Sequence, residues 1–138
     1  MAHLQRSRAT LRISGDLLVP SEISALLGVE PTFAQAKGET IIGRATGNSR
    51  VAKSGLWRLE ASESEPENID GQVEELFAKI NTDPIVWSRL REQFQVDLFC
   101  GLFMGSGDEG FSISPATQFL LGQRGIELSL CLYAPDKE

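Results

Sequence analysis

The sequence predicts an α+β domain: a largely antiparallel sheet of about five to six strands with helices packed mainly on one face. Three observations predict it. Segments such as ATLRISG and IELSLCLY alternate apolar and polar residues with the period of a half-buried strand. Other segments repeat apolar residues every three or four positions and open on proline, as amphipathic helices do. The two kinds follow one another in the order βαββ, two helices, ββαβ. Through Met104 this is the ferredoxin-like βαββαβ order, with a ββαβ-type extension completing the chain.

Each element rests on its own residues. The first strand runs from Ala9 to Gly15, with Ala9, Leu11 and Ile13 inward. A short helix follows, with Pro20 in its first turn. Ile23, Leu26 and Leu27 form its apolar stripe, Leu18 and Ile23 a hydrophobic staple, and Gly28 its left-handed cap. Residues 33–55 are punctuated by glycines, with a strand around Ile41 and Ile42 and a turn back through GNSRVAKSG. LWRLEA, residues 56–61, alternates again, with Trp57 and Leu59 sharing a face, and SESEPEN reads as an acidic linker.

Ile69, Val73, Leu76, Phe77 and Ile80 then mark one helical face, capped by Asn68 or Asp70. Asp83-Pro84 restarts the helix, whose stripe is Val86, Trp87, Leu90 and Phe94. VDLFCGLFM is apolar on both faces apart from Asp97, the composition of a central strand. Asp97 fits either an exposed strand end or an acid paired with a base such as Arg12; the exposed end is the preferred reading. GSGDEG is read as a hairpin-type loop into FSIS. Ser114-Pro115 opens a last helix with Ala116, Phe119 and Leu120 inward, and the final strand turns Ile126, Leu128, Leu130 and Leu132 inward. The 138 residues are read as one domain, with a flexible lead-in over 1–8 and a frayed tail over 134–138.

Composition narrows the function. Hydrophobic residues are 41% and charged residues 23%, with a net charge of −6. Residues 1–58 hold 8 basic and 4 acidic groups, and residues 59–138 hold 5 and 15. An acidic balance argues against nucleic acid as the partner. No apolar run reaches the length of a membrane span, and the first residues lack a signal-peptide core, so a cytoplasmic location is expected. Cys100 and Cys131 have neither CxxC spacing nor metal-ligating companions, which fits reduced thiols.

Catalytic motifs fail on chemistry. Ser–His and Cys–His mechanisms need a positioned imidazole, and the single histidine is His3, near the start of the chain. GFSIS, residues 110–114, lacks the closing glycine of a nucleophile elbow. Gly47 to Ser54 resembles a phosphate loop, but Ala52 replaces its second glycine and a strand follows where a helix must begin. Glu74/Glu75 and Asp108/Glu109 read as solvated charge. No cofactor or metal is implied.

Two binding readings remain. The leading one is a non-enzymatic protein-interaction module, immunity-type or regulatory, with an unidentified protein partner. The other is a small anionic-ligand site built from Lys37, Arg44, Arg50, Lys53 and Trp57, where glycines, cations and an aromatic ring converge. An exposed edge strand would also allow a homo-oligomer.

The segments LRISG, PSEISALLGVEPT, KGE, GLWRLE, VDLFCGLF, GFSISP and RGIELSLCLYAP occur together in this order. The chain resembles, over residues 9–135, a bacterial family catalogued as domain of unknown function 4279. Val19 departs from that family's acidic cap before the proline. The resemblance implies a small standalone bacterial cytoplasmic domain and brings no activity, cofactor or catalytic residue with it.

Overall fold

The N-terminal strand lies at the middle of the sheet. In the computed structural model, which describes residues 4–43 and 45–135, β1 (Arg6–Gly15) is flanked by β5 (Gly55–Glu60) and β6 (Gln95–Phe103), antiparallel to both. β2 (Phe33–Gln35) pairs antiparallel with β5, and β7 (Glu127–Tyr133) pairs parallel with β6. The five strands run in the order β2-β5-β1-β6-β7. β3 (Thr40–Ile42) and β4 (Ser49–Val51) form a separate two-stranded sheet. The fold is thus α+β with a mostly antiparallel sheet.

A separate two-stranded sheet interrupts the chain order between the first two helices. Four strands, two of them outside the main sheet, lie between α1 (Pro20–Leu27) and α2 (Ile69–Lys79). β5 and β6 are both antiparallel to β1 and therefore parallel to each other. α2 and α3 (Pro84–Gln93) connect them, so β1 is inserted between the two strands of a split βαβ unit. β6, α4 (Pro115–Gln123) and β7 make a second βαβ unit with adjacent strands. FSIS forms no strand, so no hairpin follows β6.

Four helices cover one face. Ala9, Leu11 and Ile13 of β1 share that face with Trp57, Leu59, Leu98 and Cys100, against Ile23, Leu27, Ile69, Val73, Leu76, Trp87 and Leu90 of the helices. Both tryptophans are fully buried. Burying such a side chain contributes roughly 2–3 kcal/mol, which makes these rings anchors of the helix layer. The caps follow their residue chemistry. Asn68 accepts from Gly71 N–H, Asp83 from Ile85 N–H and Ser114 from Thr117 N–H. Val19 offers no side-chain cap, and Gly28 closes α1 at φ 76°.

Several expectations are corrected. The first strand begins earlier than Ala9: β1 starts at Arg6, and Leu4 ahead of it is buried. His3 and residues 136–138 of the expected tail lie outside the described residues. SESEPEN is an anchored crossing rather than a free linker: Ser64 pairs with Ser7, and Glu67 is buried with its Oε1 accepting from Ile69 N–H. α4 is rotated from its expected phase, with Thr117 and Leu121 buried and Phe119 and Ala116 exposed. Thr117 turns inward because its hydroxyl donates to Asp70 at the start of α2, 2.6 Å away. Leu26, Leu130 and Leu132 are also exposed, because α1 and β7 sit at the margins of the helix layer.

Candidate interaction surface

Alternation that sends apolar residues toward the helices sends a different set to the opposite face of the sheet. β1 places Arg6, Arg8, Thr10 and Arg12 there, β5 Arg58 and Glu60, and β6 Asp97, Phe99, Gly101 and Phe103. β2 adds Phe33, and β7 adds Glu127, Ser129, Cys131 and Tyr133. No described helix packs on this face. Four arginines and four aromatic rings are interleaved on it, and it carries no lysine.

The arginines lie on the rings. The guanidinium carbon of Arg6 is 3.8 Å from the Phe103 centroid, that of Arg12 is 4.6 Å from Phe99, and that of Arg58 is 4.7 Å from Phe33. Such contacts contribute about 0.5–1 kcal/mol each at exposed sites. Phe103 and Tyr133 stack with centroids 4.7 Å apart and planes 13° from parallel. Gly101 makes room for that stack, since a Cβ there would sit 3.3 Å from the Tyr133 ring.

Three of the four arginines have a carboxylate partner, with Arg6 and Arg8 sharing one. Glu63 accepts from Arg6 at 2.6 Å and from Arg8 at 3.2 Å; chiefly through the Arg6 hydrogen bond, its carboxyl is held below the usual carboxylate range. Asp97 accepts from Arg12 Nε at 2.8 Å and again from Nη2, which raises the guanidinium pKa further. Ser129 Oγ donates to the same carboxylate at 2.9 Å. Asp97 is therefore the partner of Arg12, not a free strand end. Arg58 is different. It lies directly opposite Arg12 across β1 and β5, and no carboxylate pairs with it among the described residues. Its Nε is buried without a hydrogen-bond partner.

A family relationship accounts for the extent of this fold. The family described as Domain of unknown function (DUF4279) matches residues 5–135. The chain belongs to the DUF4279 family. No curated protein and no solved structure matches it. In this DUF4279 member the matched span takes in all five strands of the main sheet, all four helices and the whole open face.

The residues of the basic segment lie in different settings in this member of the family. Trp57 is fully buried on the helix side, donating from Nε1 to Ser24 Oγ at 3.1 Å, so it is a core residue and no wall of a surface pocket. Lys37 pairs with exposed Asp16 at 3.1 Å, and Arg50 donates to Gln35 Oε1 at 3.0 Å. Lys53 is exposed beyond β4, and Arg44 lies outside the described residues. Gly47 to Ser54 contains β4 and leads into β5, so a strand follows it where a phosphate loop opens a helix.

Other motifs serve local structure. Glu109 accepts from the N–H groups of Gly105 and Ser106. Glu75 accepts from Ser62 N–H at 2.8 Å, which lowers its pKa. Among the described residues no group of three His, Cys, Asp or Glu side chains converges as a metal site.

The open face was legible only in part. Arg6, Arg8 and Arg12 share strand parity, as do Phe99 and Phe103, and that signal was available in the sequence. The strand order that brings Phe33 to Arg58 was not.

Proposed function

We propose that this domain is a protein-interaction module whose contact surface is the open face of the sheet. The observation that carries the reading is Arg58: a guanidinium held on Phe33 with no carboxylate partner among the described residues, in a surface of arginines and aromatic rings. Arginine and aromatic side chains are enriched at protein interfaces and lysine is depleted there. The fitting partner brings a carboxylate to Arg58 and an apolar side chain to the rings beside it. Protein fits better than nucleic acid, because Glu63 and Asp97, together with Glu60 and Glu127 on the same face, offset the four arginine charges and oppose phosphates. The small-anion reading is weaker, since Trp57 is fully buried and offers no ring to an anion held by Arg50 or Lys53.

The reading takes the domain as a cytoplasmic bacterial binding protein of regulatory or immunity type. Two unpaired cysteines support a reducing compartment, and no described helix is long and apolar enough to cross a membrane.

The test is a quantitative pull-down with three baits: wild type, Arg58→Ala/Phe33→Ala, and Arg50→Ala/Lys53→Ala. The expected result is one protein recovered near stoichiometrically by the first and third baits and lost by the second. That protein should also slow alkylation of Cys131, which lies on the same face. Equal recovery by all three baits, or no partner with wild type, overturns the reading.

A further inference from the structure

The two edges of the main sheet are unlike. β2 is three residues long, too short to recruit another strand. β7 is seven residues long and contains no lysine, no proline and no glycine. No helix or loop backbone among the described residues hydrogen-bonds along its outer side; the one such bond it makes, Met104 N–H to Tyr133 O, continues the β6 ladder. Its helix-side residues are Leu128, Leu130 and Leu132, and the last two are 45% and 58% exposed. Sheet edges of this length normally carry a charge, a bulge or a cover against pairing. β7 carries only Glu127, at its first position.

We propose that β7 pairs antiparallel with β7 of a second copy about a twofold axis at Leu130. Symmetry and parity select this register. A twofold axis normal to the sheet makes the two strands antiparallel and keeps each face on its own side. Helix-side residues must then oppose helix-side residues, so the axis passes through a residue position. Leu130 is the midpoint of Glu127–Tyr133, and centring there pairs all seven residues.

The side chains suit that register. Leu130 meets its own copy and Leu128 meets Leu132, which closes a continuous leucine row on the helix side. On the open side Glu127 meets Tyr133 and Ser129 meets Cys131. The two Glu127 carboxylates fall at opposite ends of the pair, so no like charges are opposed. The result is one ten-stranded sheet with the two open faces side by side. A strand pair of this length buries on the order of 1,000 Å² in total, near the lower bound for a specific interface, so association at micromolar concentration is expected.

Sedimentation velocity of the full chain over about 1–200 µM tests this, because an interface of that size dissociates within the range. Wild type should shift reversibly from monomer to dimer. Leu130→Lys sets two ammonium groups against each other at the axis and should remain monomeric, with wild-type circular dichroism. Leu132→Lys is the second variant should the first fail to fold. Leu130→Cys in a Cys131→Ser background should form a disulfide-linked dimer on oxidation, since directly opposed Cβ atoms lie within bridging reach. A wild type monomeric throughout, a dimer that survives the lysine variants, or absence of the cross-link overturns the proposal. No other protein enters the assay, so its outcome is separate from that of the pull-down.

Discussion

Arg12 and Asp97 face each other across β1 and β6 and close a two-pronged ion pair on the open face of the sheet. The pair holds more than two strands. Ser129 donates to the same carboxylate and brings in β7, while Arg12 lies beside Arg58 on β5. One half-buried carboxylate thus ties three strands together and keeps two neighbouring cations from opposing each other unscreened.

Replacing Asp97 by Ala should therefore cost about 1–3 kcal/mol, because it leaves Arg12 partly desolvated and Ser129 without its acceptor. Arg12→Ala in the same background should add less than it costs alone. Urea unfolding of the four proteins of the cycle measures both. Independent, additive losses would show that the pair is not coupled.

Acid should weaken the junction of α2 and α4. Burial alone would raise the Asp70 carboxyl, but hydrogen bonds from Thr117 and Ser114 outweigh it and hold the pKa below its ordinary value. A carboxyl depressed in the folded state contributes stability above its unfolded pKa, near 3.9, and loses that contribution as pH falls through the folded value. Asp70→Asn should cost about 1 kcal/mol at neutral pH and progressively less as pH falls below about 4. Urea midpoints measured across that range check the sign. A cost independent of pH would contradict the assignment.

The two cysteines should react very differently. Cys100 is fully buried, and burial, reinforced by the negative charges of Glu67 and Asp97, pushes its thiol up to about 12. Cys131 is half-buried on the open face. A thiol reagent at pH 8 should label one group per chain in the native protein and two in denaturant, with the first mapped to Cys131 by mass spectrometry. Native labelling of both would mean that the core opens at Cys100.

Trp57 and the hairpin basic residues should separate cleanly. Trp57→Phe removes buried volume and the bond to Ser24, at a cost of about 1–3 kcal/mol. Arg50→Ala/Lys53→Ala alters exposed residues and should stay within about 0.5 kcal/mol of wild type. Thermal unfolding distinguishes the two. A stability loss in the double variant comparable to that of Trp57→Phe would return weight to the basic segment.

Much of the fold was legible because single-element periodicity reports burial directly. Ala9, Leu11 and Ile13 alternate as required, and Ile69, Val73 and Leu76 fall on one helical face, so β1 and α2 could be read locally. The phase of α4 could not. Phe119 is more apolar than Thr117, yet Thr117 is the buried one, because a distant carboxylate on α2 receives its hydroxyl. Phe99 and Phe103 made β6 look buried on both faces. They lie on the open side, half-covered by arginine side chains from β1. The candidate surface was the least legible part. It is assembled across strands whose neighbours are set by the topology, whereas Lys37, Arg50, Lys53 and Trp57 drew attention only by being close in sequence.

The insertion of β1 between β5 and β6 has a consequence for the order of assembly. β1 leaves the ribosome first, yet Arg12 must wait for Asp97, 85 residues later, before its second flank is paired. The central strand is thus completed late, and most of the chain has to be synthesised while one edge of β1 stays open. Loop closure over such separations slows folding and prolongs the exposure of unpaired strand to other chains. Until β6 emerges, the edge of β1 that it will cover is open to mispairing.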